Sequence, residues 1–166
     1  TQLQDSVVER IAAAFAAVLV RSGKDSAVVG MDGRPSSPRF KTIVNRTLAA
    51  YGIHVTDIGL VPTPVMYYTL FKRDLGGGIM ITASHNPPEY NGFKAMVGHD
   101  TLSGDQIREL YDLADREDFA PRKPGSIQAV SMNQTYLEEI AASLDMQKKL
   151  KAVIDCGNGT AGITAM

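Results

Sequence analysis

The run Gly78-Ile79-Met80-Ile81, followed by Thr82-Ala83-Ser84-His85-Asn86-Pro87-Pro88, limits this chain more than any other stretch. Glycine and apolar positions with no polar alternation suit a strand covered on both faces, which calls for helices on either side of a sheet. Pro87 and Pro88 keep a helix from starting directly after the serine, because proline lacks the amide a helix needs and pushes the residue before it out of the helical region. Ser84 is therefore expected at the carboxyl end of a buried strand, where open α/β sheets keep their ligand crevices.

The remaining segments are consistent with that frame. Leu3, Val7, Ile11, Ala14, Phe15 and Val18 recur at helical steps, and Thr1 with Gln4 or Ser6 with Glu9 could form a capping box. Ala27 to Met31 reads as a short buried strand, after which Ser37 is expected to cap a helix with Pro38 at its first position and Gly52 beyond its end. Ile53 to Ile58 reads as a strand, and Thr63-Pro64 opens a helix reaching Phe71. After the serine loop, Asn91-Gly92 signals a turn into Phe93 to Val97, a strand antiparallel to its predecessor.

Ser103 is expected to cap a helix whose inner face is Ile107, Leu110, Tyr111 and Ala114. Asp118 to Ser126 reads as loop, Thr135 to Leu144 as helix, and Lys151 to Asp155 as the first strand of something new. The fold class this predicts is α/β: a three-layer domain with a mixed, mostly parallel sheet between helices. Residues 1–147 form one domain in this reading, and 148–166 the truncated start of a second.

Bulk properties narrow the function. The 166 residues with 44% hydrophobic content suffice for one core, and a formal net charge of −1 offers no global attraction to nucleic acid or anionic lipid. The apolar run Ile11 to Val20 is about half the length of a membrane span. Asp5, Glu9 and Arg10 precede it where a secretory leader would be basic, and the single Cys156 excludes an internal disulfide; a cytoplasmic location is expected.

Ser84 has no base implied by sequence, since adjacent residues on an extended chain point to opposite sides and His85 would face away. The Gly-x-Ser-x-Gly elbow of hydrolases is absent. Phosphoryl transfer suits the loop better, as it depends on positioning and positive charge. Arg34, in a strand-end loop before a proline-started helix, and Lys94 are the available cations. An Asx-type turn at Ser84, a surface ion pair at Asp32-Gly33-Arg34 and a solvated edge lysine at Lys94 are the alternatives. His54 and His99 have no partners in sequence, and Met66, Tyr67 and Tyr68 read as core. Gly157-Asn158-Gly159-Thr160-Ala161-Gly162 has the spacing of a dinucleotide fingerprint without the helix and acidic residue that such a site requires.

The stretch Thr82 to Lys94 resembles the phosphoserine loop of the α-D-phosphohexomutases, in the form typical of phosphomannomutase/phosphoglucomutase. Asp32-Gly33-Arg34 with Ser36-Ser37, and Gly59 to Pro64, are similar to the same family's first domain, and Lys151 to Gly162 resembles the opening of its second. The resemblance implies that Ser84 carries a phosphoryl group, donates it to a hexose phosphate, and regains one from the other end of a bisphosphorylated intermediate. Mg²⁺ would bind through the phosphate on Ser84, and a hexose 1,6-bisphosphate would act as activator. Lys94 would lie near the transferred group as a cation and proton donor, with His85 and Asn86 shaping the loop and Arg34 binding phosphate.

The implied partners are small-molecule hexose phosphates, mannose and/or glucose, with no nucleic acid or membrane. Phosphoglucosamine mutase of the same family and a non-catalytic sugar-phosphate-binding domain are the other readings. The family's Asp-x-Asp-x-Asp-Arg metal loop, its sugar-selecting Glu-x-Ser-Gly-His type loop, its Arg-x-Ser-Gly-Thr type phosphate loop and its N-terminal Tyr-Asp-x-Arg-Gly segment do not occur in this chain. The fragment alone is therefore expected to be inactive.

Overall fold

The computed structural model describes residues 3–117, 119–120, 122–145, 147–148 and 151–165. Its elements in chain order are α1 (Asp5–Arg21), β1 (Ser26–Met31), α2 (Ser37–Ala50), β2 (His54–Leu60), α3 (Thr63–Lys72), β3 (Gly77–Ile81), β4 (Phe93–Val97), β5 (Asp100–Thr101), α4 (Gly104–Arg116), β6 (Ile127–Ala129) and α5 (Asn133–Ser143). The strands form one sheet in the order β5-β4-β3-β1-β2-β6. β3, β1, β2 and β6 run parallel, and β4 returns antiparallel beside β3 with Ile81 opposite Phe93.

Two apolar layers flank the sheet. On one face Phe15 and Leu19 of α1 and Phe40, Val44 and Leu48 of α2 pack on Val29, Val55, Ile79 and Ile81. On the other, Val65, Met66 and Leu70 of α3 cover Val28, Ile58 and Met80, with Tyr67 and Tyr68 partly buried beside them. Every residue of β3 is buried, as an unalternating apolar run requires. The three-layer α/β class is thus the observed one.

Local chemistry fixes several boundaries. α2 ends in a Schellman arrangement, with Ile53 N–H donating to Leu48 O and Gly52 N–H to Ala49 O, both at 3.0 Å. Gly52 takes φ +90°, a conformation that a side chain would resist. The start of α2 lies one residue earlier than expected: Ser36 is the cap residue, and the Ser37 hydroxyl donates to Asp32 Oδ1 at 2.7 Å rather than serving the helix. α1 begins after Gln4 without a side-chain cap, so the Ser6-Glu9 box does not form, and Thr1 lies outside the described residues.

Three expectations are corrected. Ile107 and Tyr111 are exposed, because α4 packs on α1 through Leu110, Leu113 and Ala114 against Ala14 and Val18, which rotates the helix away from the anticipated face. The segment after the long loop contributes β6, whose three exposed residues pair with β2 at an edge and carry no periodic signal. Lys151 to Asp155 makes no strand: it lies exposed, Val153 and Ile154 included, since a strand needs a neighbouring ladder and these residues have none among the described residues.

Candidate active site

β1 and β3 are adjacent and parallel, but the chain leaves β1 through α2 toward β2 and leaves β3 in the opposite direction toward β4. Connections that diverge from neighbouring strand ends open a crevice between them. The Asp32 N–H donates to Ile81 O at 3.0 Å, tying the two strand ends together at the base of that crevice. Above it is an open cavity of about 440 Å³, lined by Asp32, Gly33, Arg34, Ser84, Asn86 and Thr160 among others.

Ser84 is exposed and takes φ +54°, in the left-handed region. Such a conformation costs an L-residue about 1–2 kcal/mol, so the surroundings must impose it. Its N–H donates to Thr82 Oγ1 at 3.0 Å, and its carbonyl accepts from Arg34 Nη2 at 2.9 Å. The bend overturns the expectation that His85 faces away: Ser84 Oγ and His85 Nδ1 lie 3.3 Å apart. Alternation of side chains holds for extended backbone, and a left-handed residue breaks it.

Arg34 behaves unlike a free cation. Its Nε pairs with Asp32 Oδ2 at 3.0 Å. Nη1 donates to Pro87 O at 2.6 Å and Tyr90 O at 3.0 Å, and Nη2 to Ser84 O at 2.9 Å and Asn86 O at 2.8 Å. A guanidinium has five N–H donors, and all five are engaged by protein acceptors. The side chain is only 11% exposed.

The other anticipated residues separate. Asn86 lines the cavity, and its N–H donates to Ala83 O at 3.1 Å. Lys94 stands opposite Met80 on β4 and is not among the residues lining the cavity, and its ammonium has no hydrogen-bond or ion-pair partner among the described residues. His54 Nδ1 lies 2.9 Å from Ser126 Oγ, and His99 stacks on Phe71 with ring centres 4.3 Å apart; neither lines the cavity.

Sequence reasoning missed a supporting network. Asn91 Nδ2 donates to both Ser36 Oγ and Ser37 Oγ at 2.9 Å, and Asp32 Oδ1 accepts from the Ser37 hydroxyl and from the Arg34 N–H. These short polar residues flank turns, where their own sequence signal is only that of a turn. The glycine-rich tail also adds residues to the cavity that its sequence did not point to. It forms a short 3-10 turn, Thr160–Ile163, rather than a nucleotide-binding helix, yet Asn158, Gly159 and Thr160 line the same cavity as Ser84.

Comparison with known proteins agrees with this geometry. A family model described as phosphoglucomutase/phosphomannomutase, alpha/beta/alpha domain I, matches residues 1–121. A phosphoglucomutase of Neisseria meningitidis serogroup B is 37% identical over 164 residues, 98% of this chain and 36% of the relative. A phosphomannomutase/phosphoglucomutase of Pseudomonas aeruginosa is 41% identical over 143 residues, 86% of this chain and 31% of the relative. The crystal structure of a phosphoglucomutase/phosphomannomutase family protein from Burkholderia thailandensis superposes with a TM-score of 0.92 at 36% identity, covering 98% of this chain and 37% of that one. The chain thus spans about a third of the length of the curated relatives it matches. With its serine loop at the switch point of the sheet and a family match over residues 1–121, this chain belongs to the phosphoglucomutase/phosphomannomutase family.

Proposed function

We propose that the full-length protein is a phosphohexomutase that interconverts hexose 1-phosphate and hexose 6-phosphate, of mannose and/or glucose, through a phosphoryl group carried on Ser84. The observation that carries this reading is the Ser84 hydroxyl itself, held on a left-handed backbone at the switch-point cavity beside a hydrogen-bonding imidazole. In the forward step a sugar hydroxyl oxygen attacks phosphorus, the bond from phosphorus to Ser84 Oγ breaks, and the hydroxyl proton is finally returned to Oγ. His85, 3.3 Å from that oxygen, and Lys94 on the neighbouring strand, whose ammonium has no partner among the described residues, are the candidate proton-carrying groups. The bisphosphorylated sugar then returns its other phosphoryl group to Ser84, and the free bisphosphate primes an unphosphorylated enzyme.

Mg²⁺ belongs to this reading, but the described residues do not make a site for it on their own. No group of three or more His, Cys, Asp or Glu among them could hold a metal, and both oxygens of Asp32 are already engaged. The chain's contribution would be an oxygen of the phosphate on Ser84, a hard ligand suited to a hard cation, with the remaining ligands supplied by other parts of the full-length protein. Residues 148–166 are read as the start of a second domain, which brings Asn158 and Thr160 to the cavity wall. A cytoplasmic location and binding of small hexose phosphates complete the proposal; no helix among the described residues is long and apolar enough to cross a membrane.

The test is intact-mass measurement of the full-length protein before and after phosphatase, together with mutase assays of wild type and Ser84→Ala. One removable phosphate on wild type, none on the variant, and loss of turnover in the variant are expected. A wild-type protein that accepts no phosphate from hexose 1,6-bisphosphate would instead be a sugar-phosphate-binding domain. Turnover of phosphoglucosamine in preference to glucose or mannose phosphates would move the assignment to the glucosamine branch.

A further inference from the structure

We propose that Arg34 is a positioning residue for the serine loop, holding Ser84 in its left-handed conformation, and does not bind the phosphate of the substrate. The part of this inference that concerns catalysis rests on the phosphoserine reading above; the part that concerns the loop does not.

Four carbonyls from one loop, those of Ser84, Asn86, Pro87 and Tyr90, converge on a single guanidinium whose remaining N–H pairs with Asp32. Converging carbonyls repel one another unless a multiple donor sits between them, so the loop conformation and the Arg34 side chain require each other. A phosphate approaching Arg34 would find no N–H left to donate, and the Asp32 carboxylate partly offsets its charge. Lysine has three donors on a compact tetrahedral head and cannot reproduce this planar fork.

The far end of the loop is fastened to the same place. Asn91 donates to Ser36 and Ser37, and Ser37 donates to Asp32, which itself fixes the Arg34 backbone and side chain. The loop after β1 therefore holds the loop after β3 at both ends. The Ser84 hydroxyl is aimed by this frame, since its residue is pinned through N–H and carbonyl alike.

The experiment uses the full-length protein with Arg34→Lys and Asp32→Asn, read by amide hydrogen exchange without ligand and by steady-state kinetics. Arg34→Lys should speed exchange at the hydrogen-bonded amides of Ser84, Asn86 and Tyr90 by about tenfold or more while β1 and β3 stay protected. It should lower kcat by about a hundredfold, the scale of a 1 Å misplacement, with KM for hexose phosphate within about threefold. Asp32→Asn, which removes one of the five partners, should move both readouts in the same direction by less, and it decides the matter if the lysine variant does not fold. Wild-type exchange in the lysine variant, or a large rise in KM with kcat retained, would overturn the proposal. A wild type without mutase turnover would defeat the functional reading alone, and the exchange comparison would still decide the clamp.

Discussion

Replacing Ser84 by alanine and by glycine separates the strain in the loop from its chemistry. Both variants lose the hydroxyl, so neither can carry phosphate and both forfeit the contact with His85 Nδ1 equally. They differ in the backbone. At φ +54°, alanine keeps the left-handed penalty of about 1–2 kcal/mol, whereas glycine escapes it. Glycine gives back part of that gain through its freer unfolded chain, about 0.5–1 kcal/mol. Neither variant can relax by turning the peptide, because the residue is held by Thr82 Oγ1 on one side and Arg34 on the other. The net expectation is that Ser84→Gly is more stable than Ser84→Ala by about 1 kcal/mol, or about 2–4 °C in Tm for a chain of this size. Thermal melts of the two variants at neutral pH, checked by urea titration, measure the difference directly. An alanine variant that melts at or above the glycine variant would mean that Ser84 is not held left-handed, and the positioning of its hydroxyl would need another explanation.

Two further outcomes are expected. Gly77→Ala would place a Cβ 2.5 Å from Met96 O and 2.7 Å from Leu19 Cδ2, so it should cost about 1–3 kcal/mol in urea unfolding, near the upper end because Met96 O is backbone. Gly33→Ala, whose Cβ meets only Thr160 Cγ2 at an ordinary 3.8 Å, should change stability by no more than about 0.5 kcal/mol. The second outcome concerns Glu139, whose carboxyl is held below its ordinary range chiefly by the hydrogen bond from Lys72 at 2.6 Å. A folded-state pKa below the unfolded one gives stability that is present above the unfolded value and lost as pH falls through the folded value. The Tm difference between wild type and Glu139→Gln should therefore be present at pH 7 and disappear in the acidic range; a difference that grows on acidification would contradict the pairing.

The sheet was legible because its strands are extreme. Gly77 to Ile81 is buried throughout, and a strand of that kind admits no polar alternation, so the sequence displays its burial directly. The antiparallel return at Phe93 was legible from Asn91-Gly92, and the end of α2 from Gly52, where backbone conformation demands particular residue types. β6 was not legible, since an edge strand of three exposed residues has no face to mark. The orientation of α4 was not legible either, because Ile107 and Tyr111 offer apolar surface as Leu110 and Leu113 do, and only the position of α1 decides which pair is covered.

The division is sharper at the site. Sequence alone determined that a serine would stand at the end of a buried strand in a loop closed to helix formation, with an arginine loop after another strand; local sterics and hydrophobic pattern suffice for that. Only the tertiary structure decided what the arginine does. Four of its five donors are satisfied by residues about fifty positions away along the chain, and a partner set assembled across strand order β3-β1 leaves no trace in either loop's own sequence. The same holds for the Ser84 contact with His85: extended backbone would part the two side chains, and the left-handed turn that joins them is set by hydrogen bonds from the rest of the fold.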